Sequence, residues 1–177
     1  MAFNTLSMAG VAKLVHKCFP NPTVLLLEAD TCVCISVALT RKSQAEQGAM
    51  VVDRIESTGA FYPSQPEYTD FLDALAFERL SQGDLWEYLL DLSQVVALSR
   101  AVSGLGFYPQ CPARNRQSLL VLMVRYDELN ASIKQLKERR QSKDITLNES
   151  ARLRMKMKEE ERRLKVIADK IKGICNG

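Results

Sequence analysis

Residues 23–40 read TVLLLEADTCVCISVALT, and whether they coil or extend decides the fold class. Val24 to Leu27 suits either state, because a short continuous apolar run carries no period of its own. Further on, Val33, Ile35, Val37 and Leu39 alternate with smaller residues, which is the period of a strand. The surroundings pull the other way. Helical patterns flank the segment, and Asn21-Pro22 offers an N-cap followed by a proline at the first helical position. The neighbourhood resolves the ambiguity towards helix, so the sequence predicts an all-α protein.

Upstream, residues 5–18 place Leu6, Gly10, Val11, Leu14, Val15 and Cys18 at helical spacing, and Pro20 stops the run. Downstream, Ser43 with Glu46 reads as a capping box, in which the serine accepts from a free helix-start N–H and the glutamate reaches back. That helix is expected to run to about Thr58 and close at Gly59. Ser64 with Glu67 repeats the box ahead of Tyr68, Phe71, Leu72, Leu75 and Leu80, ending at Gly83. Asp84 then leads into a helix with Leu85, Trp86, Leu89, Leu90, Leu92, Val95, Val96 and Val102 inward, closing at Gly104. Phe61-Tyr62-Pro63 recurs as Phe107-Tyr108-Pro109, where an aromatic pair is expected to pack a helix end into the core while proline prevents continuation. Residues 1–110 are therefore read as an N-terminal helical body.

Residues 111–177 carry the most regular pattern. Leu119, Leu122, Tyr126, Leu129, Ile133 and Leu136 follow 3,4 spacing, the seam that keeps one apolar stripe on a partner helix. After a polar break at Ser142-Lys143-Asp144-Ile145, Thr146 with Glu149 gives a third capping box. Leu153, Met157, Glu160, Leu164, Ile167, Ile171 and Ile174 form a second seam, with Glu160 its polar member. If the chain folds back near Asp144, facing residues should have numbers with a constant total. Leu136 with Leu153, Ile133 with Met157, Tyr126 with Leu164, Leu122 with Ile167 and Leu119 with Ile171 all total 289 or 290. An antiparallel coiled-coil hairpin with arms of roughly 40 Å is self-consistent. Leu120, Val121, Met123 and Val124 add apolar surface off the first seam, and Val166 off the second, so more than one neighbour must cover these helices.

Charge divides at the same boundary. Residues 1–110 hold 7 Lys/Arg against 12 Asp/Glu, a net −5, whereas residues 111–177 hold 17 against 9, a net +8. Lys137, Arg139, Arg140, Lys143, Arg152, Arg154, Lys156 and Lys158 gather at the expected hairpin tip. Such a cluster suits an acidic partner, whether nucleic acid, an acidic membrane or an acidic protein surface such as a microtubule lattice. Acidic residues interrupt it, and no aromatics interleave as a base-stacking platform requires.

Chemistry is sparse. The single histidine, His16, lies two residues from Cys18, and on a helix such positions point apart. His16, Cys18, Cys32 and Cys34 would offer zinc ligands only if each pair lay on a strand and shared a face, and one-residue gaps depart from the usual C-x2-4-C spacing. Phosphate-binding glycine loops, HExxH and GxSxG are lacking. No catalytic residue, cofactor or metal is expected. Five cysteines without a disulfide framework or secretory signal read as reduced thiols, and Glu28 and Asp30 interrupt the most apolar stretch, arguing against a membrane span. A cytoplasmic, cytoskeletal or nuclear protein is expected.

The layout of helices from Tyr68 to Val102, a proline break, and a heptad hairpin over 113–174 resembles small coiled-coil subunits of spindle and kinetochore assemblies, augmin among them. The resemblance covers about 60% of the chain, is one of pattern, and implies no residue roles. Taken together, the sequence points to a non-catalytic subunit of a multiprotein, microtubule- or spindle-associated assembly that binds partner coiled coils through its hairpin. The alternative is a helical nucleic-acid-binding protein that uses the basic tip.

Overall fold

The computed structural model describes residues 7–19, 21–142 and 145–175. Leu6, Pro20, Lys143 and Asp144, used above, lie outside the described residues. The chain divides into two compact units, Met1–Ala113 and Arg114–Gly177.

The first unit overturns the all-α expectation. Residues 23–57 form a three-stranded antiparallel meander: β1 (Thr23–Ala29), β2 (Cys32–Lys42) and β3 (Met50–Ser57), in the order β1-β2-β3. In β1 and β2, Val24 faces Val37 and Leu26 faces Ile35 across the ladder, while Ala29 and Cys32 flank the two-residue turn Asp30-Thr31. Asp30 takes φ 53°, the left-handed geometry that lets so short a loop match the strand twist. The alternation of Val33, Ile35, Val37 and Leu39 was therefore the signal to follow. The pleat repeats every two residues, and long-range pairing outweighs the helical character of the flanks.

The expected helix from Ser43 to Thr58 is also replaced. Ser43 Oγ does accept from the N–H groups of Ala45 and Glu46, at 3.2 and 3.1 Å. The bonds close a turn in the β2–β3 loop, however, and the chain enters β3. A serine that satisfies two nearby N–H groups serves a turn as well as a helix start. Gly59 is left-handed as expected, with φ 71°, but it follows a strand.

Helices cover both sheet faces. Helix α1 (Met8–Cys18) starts at Ser7, whose hydroxyl accepts from Gly10 N–H. Its His16 bonds Ser36, on the face shared with Cys34 and Ala38. The opposite face carries Val37 and Leu39. Glu56, the ladder partner of Val37, feels the charge of Arg100 at the start of helix α4 (Arg100–Leu105), and helix α3 (Leu85–Leu98) contacts β2 and β3. Residues 36–40 of β2 are buried without interruption, as a strand covered on both sides requires. At the edge strand β1, Val24 and Leu26 remain 46% and 69% exposed.

Between sheet and α3 the chain makes a 3-10 turn (Pro66–Tyr68), helix α2 (Thr69–Ala74) and a second 3-10 turn (Phe77–Arg79). The expected Ser64–Glu67 capping box does not form. Gln65 precedes the first turn without a side-chain cap, and Pro66 sits at its first position. Asp84 does cap α3 (Leu85–Leu98), accepting from Glu87 N–H at 2.8 Å. Helix α4 (Arg100–Leu105) ends on left-handed Gly106, two residues beyond the expected Gly104.

The two Phe-Tyr-Pro segments each send one ring inward, and not the same one. Phe61 of the first and Tyr108 of the second are buried, while Tyr62 is exposed. Phe61 pairs with Val33 by two backbone bonds, stacks on Tyr68 at 4.5 Å and meets Phe71 edge-on at 5.7 Å. Phe71 in turn lies 5.5 Å from Tyr108. These are centroid spacings at which aromatic pairs attract beyond their burial.

The second unit holds α5, which begins at Ala113 and runs to Arg140, and α6 (Leu147–Cys175), starting where Thr146 Oγ1 accepts from Glu149 N–H.

Candidate interaction surface on the helical hairpin

Helices α5 and α6 fold back on one another. At the tip, Arg139 of α5 pairs with Glu149 of α6 at 2.6 Å. Further down, Arg125 and Leu129 line one groove together with Glu159, Arg162, Arg163, Val166 and Ile167. The totals of these α5 and α6 numbers run from 284 to 296, on either side of the 289 or 290 expected of an antiparallel hairpin.

Along α6 the least exposed positions are the seam. Leu153, Met157 and Ile171 are buried, and Leu164, Ile167 and Ile174 are half-buried. Glu160 is also half-buried, with its carboxylate 3.9 Å from the Arg163 guanidinium, so the polar seam member has a cation beside it. Along α5, Leu119, Tyr126, Leu129 and Ile133 are buried and Leu136 is half-buried. Leu122 departs from the pattern: it is half-exposed, and Met123 takes the buried position. A straight helix at 3.6 residues per turn drifts against a 3.5 repeat, so the inward position moves by one residue along the arm.

Of the basic tip, Lys137, Arg139, Arg140, Arg152, Arg154, Lys156 and Lys158 are exposed. Lys143 lies outside the described residues. The apolar side chains Val121, Val124, Leu147, Met155 and Val166 stand exposed along the hairpin, Val166 in the groove just described. Sequence reading found Val121, Val124 and Val166 as off-seam residues and missed Leu147 and Met155, which sit between polar or charged neighbours and break no period.

In the first unit, His16 Nε2 lies 3.0 Å from Ser36 Oγ, and Ser36 donates to the carbonyl of Glu56 at 3.1 Å. Ser36 has one proton and spends it on that carbonyl. His16 therefore donates from Nε2, and its Nδ1 is a buried acceptor without a partner among the described residues. Burial holds the imidazole below its ordinary pKa. The serine is sealed from solvent and its proton points away from the ring, so this pair is structural and not a nucleophile with its base.

Cys32 and Cys34 do share a face of β2, the condition under which zinc ligation was conceivable. His16 and Cys18, however, lie on a helix, and Cys18 is exposed. Among the described residues no three His, Cys, Asp or Glu side chains converge in a way that could hold a metal ion. No helix among them is long and apolar enough to cross a membrane. Leu85 and Trp86, expected inside, are exposed at the start of α3, whose buried residues all lie between Asp91 and Leu98.

Residues 7–164 match the family described as a domain of unknown function, DUF4391. The chain belongs to that family. The match begins at the cap of α1 and ends at Leu164 in α6, so the DUF4391 region takes in the whole sheet and most of the hairpin. No curated protein and no solved structure matches the chain.

Proposed function

We propose that this DUF4391 protein is a non-catalytic interaction subunit whose C-terminal hairpin docks against a helix of a partner protein. The observation that carries the reading is the groove between α5 and α6, about 370 Å³, floored by Leu129, Val166 and Ile167 and rimmed by Arg125, Arg162 and Arg163. Two helices alone bury a single stripe. A third helix laid in the groove covers what the pair leaves open and builds a three-helix packing. Fully burying an aliphatic side chain of this kind contributes roughly 1.5–3 kcal/mol, so Val166 with a few neighbours supplies a meaningful part of a binding free energy. The charged rim supports register and partner choice more than raw affinity.

The test is affinity purification of the full chain from its native source, wild type beside Val166→Glu and Val124→Glu. Both positions are exposed, so the fold tolerates the change. The reading expects a helical protein retained by the wild type and lost with Val166→Glu. Identical retention by all three rejects it.

A further inference from the structure

A second groove lies at the hairpin tip, separate from the one just described, and it has a distinct chemistry. It is about 880 Å³ and open, with Arg140, Arg154 and Lys158 on its walls and Leu147, Ala151 and Met155 spaced four apart along its floor. Leu147 is 89% and Met155 68% exposed. None of its lining residues is acidic, and among the described residues none of the three cations forms an ion pair. Residues 134–158 hold nine Lys/Arg against three Asp/Glu, a net +6. Exposed Leu and Met between cations do not suit a phosphate backbone, which rewards hydrogen-bond donors and offers nothing to an aliphatic floor. They suit a surface that is itself apolar and acidic.

The same chain carries such a surface. At the start of α3 a groove of about 550 Å³ is lined by Phe77, Leu85 and Tyr88, with Asp84 on its rim. Phe77 is 59%, Leu85 72% and the adjacent Trp86 48% exposed, and Glu78 and Glu87 stand next to them in sequence, both exposed. Residues 67–91 hold seven Asp/Glu against one cation, Arg79, a net −6. Exposed aromatics clustered with leucine are the composition of interface centres.

We propose that the basic tip groove of one copy takes the acidic, aromatic start of α3 of a second copy, giving a head-to-tail self-association. The two patches are different, so the contact is heterologous: each copy offers one donor and one acceptor surface, and association proceeds to rings or chains. Leu85 and Trp86 meet Leu147 and Met155, while Glu78 and Glu87 face Arg154 and Lys158.

Sedimentation velocity of the full chain over a concentration series tests this. Wild type should associate in low salt and dissociate in about 0.5 M NaCl, where exposed charges are screened. Arg154→Glu with Lys158→Glu should weaken association at least about tenfold, as should Glu78→Lys with Glu87→Lys. Leu85→Ser with Trp86→Ser removes the apolar half and should do the same without altering charge. The decisive arm mixes the tip variant with the Leu85→Ser, Trp86→Ser variant. Each retains one intact patch, so the mixture should form a one-to-one dimer that grows no further. A wild type that stays monomeric in low salt overturns the proposal, as does association unchanged by these substitutions or a mixture that stays monomeric. A monomeric wild type that binds duplex DNA or RNA through Arg154 and Lys158 overturns it in favour of nucleic acid.

Discussion

His16 and Ser36 are joined by a 3.0 Å hydrogen bond that no solvent reaches, and the serine hydroxyl in turn donates to the Glu56 carbonyl. The bond ties α1 to the middle strand while leaving the other ring nitrogen buried and without a partner among the described residues. The imidazole is neutral in the folded protein because burial lowers its pKa from 6.5. The unfolded chain therefore binds a proton that the folded chain refuses. Stability from this group is complete above the unfolded value and is lost as pH falls through the depressed folded one. Urea unfolding midpoints should drop as pH falls below about 6.5. His16→Gln keeps an N–H for Ser36 and cannot titrate, so it should flatten that slope. An equal slope in both proteins rejects the account.

Glu56 gives the opposite sign. Burial raises its pKa above the ordinary 4.5, and Arg100 and Arg54 only partly counter it. A carboxyl whose folded pKa is raised adds stability below the ordinary value, and that stability is lost as pH rises through the folded one. Replacing Glu56 by Gln should accordingly help more, or hurt less, at neutral pH than near pH 4. Denaturant titrations of both proteins at the two pH values decide it, and a difference independent of pH removes the argument.

Phe71 is the ring through which Phe61 and Tyr108 meet. Its truncation to alanine leaves a cavity that three elements cannot jointly collapse into, so Phe71→Ala should cost about 3–5 kcal/mol in equilibrium unfolding. Tyr62→Ala, at the exposed member of the same repeat, should fall within about 0.5 kcal/mol. Similar costs at the two sites contradict the inward–outward split.

At the hairpin tip, two kinds of bond compete for credit. Arg139–Glu149 is short but exposed, and such pairs contribute about 0–1 kcal/mol. Ile133, buried in the seam, should cost roughly 2–4 kcal/mol when cut to alanine. The thermal transition of the helical signal should therefore move far more with Ile133→Ala than with Glu149→Gln. The reverse order would mean that charge closes the arm.

Leu153, Met157 and Ile171 were found because a helix that buries one stripe writes it into the sequence at a fixed period, and the arm is long enough to repeat it. The sheet was lost for a physical reason. A strand of seven residues gives three or four alternations, and in β1 three adjacent leucines erase even those. The numbers of Val24 with Val37 and Leu26 with Ile35 total 61, the same test that located the hairpin, but only an extended reading prompts that comparison. Ser43 misled because its hydroxyl does what a cap does while the chain goes elsewhere. Leu147 and Met155 were passed over because no period distinguishes an exposed apolar residue set to meet a partner from one facing solvent.

The meander joins only neighbours in sequence, through loops of a few residues. Closing such loops costs little entropy, and sheets assembled from adjacent strands form faster than those awaiting a distant one. Synthesis proceeds from the amino end, so β1 to β3 can pair while everything from Arg114 onward is still inside or behind the ribosome. The edge at Val24 and Leu26 is then on offer from the first moments of synthesis and stays open in the folded chain, so an extended strand could pair with it at either stage.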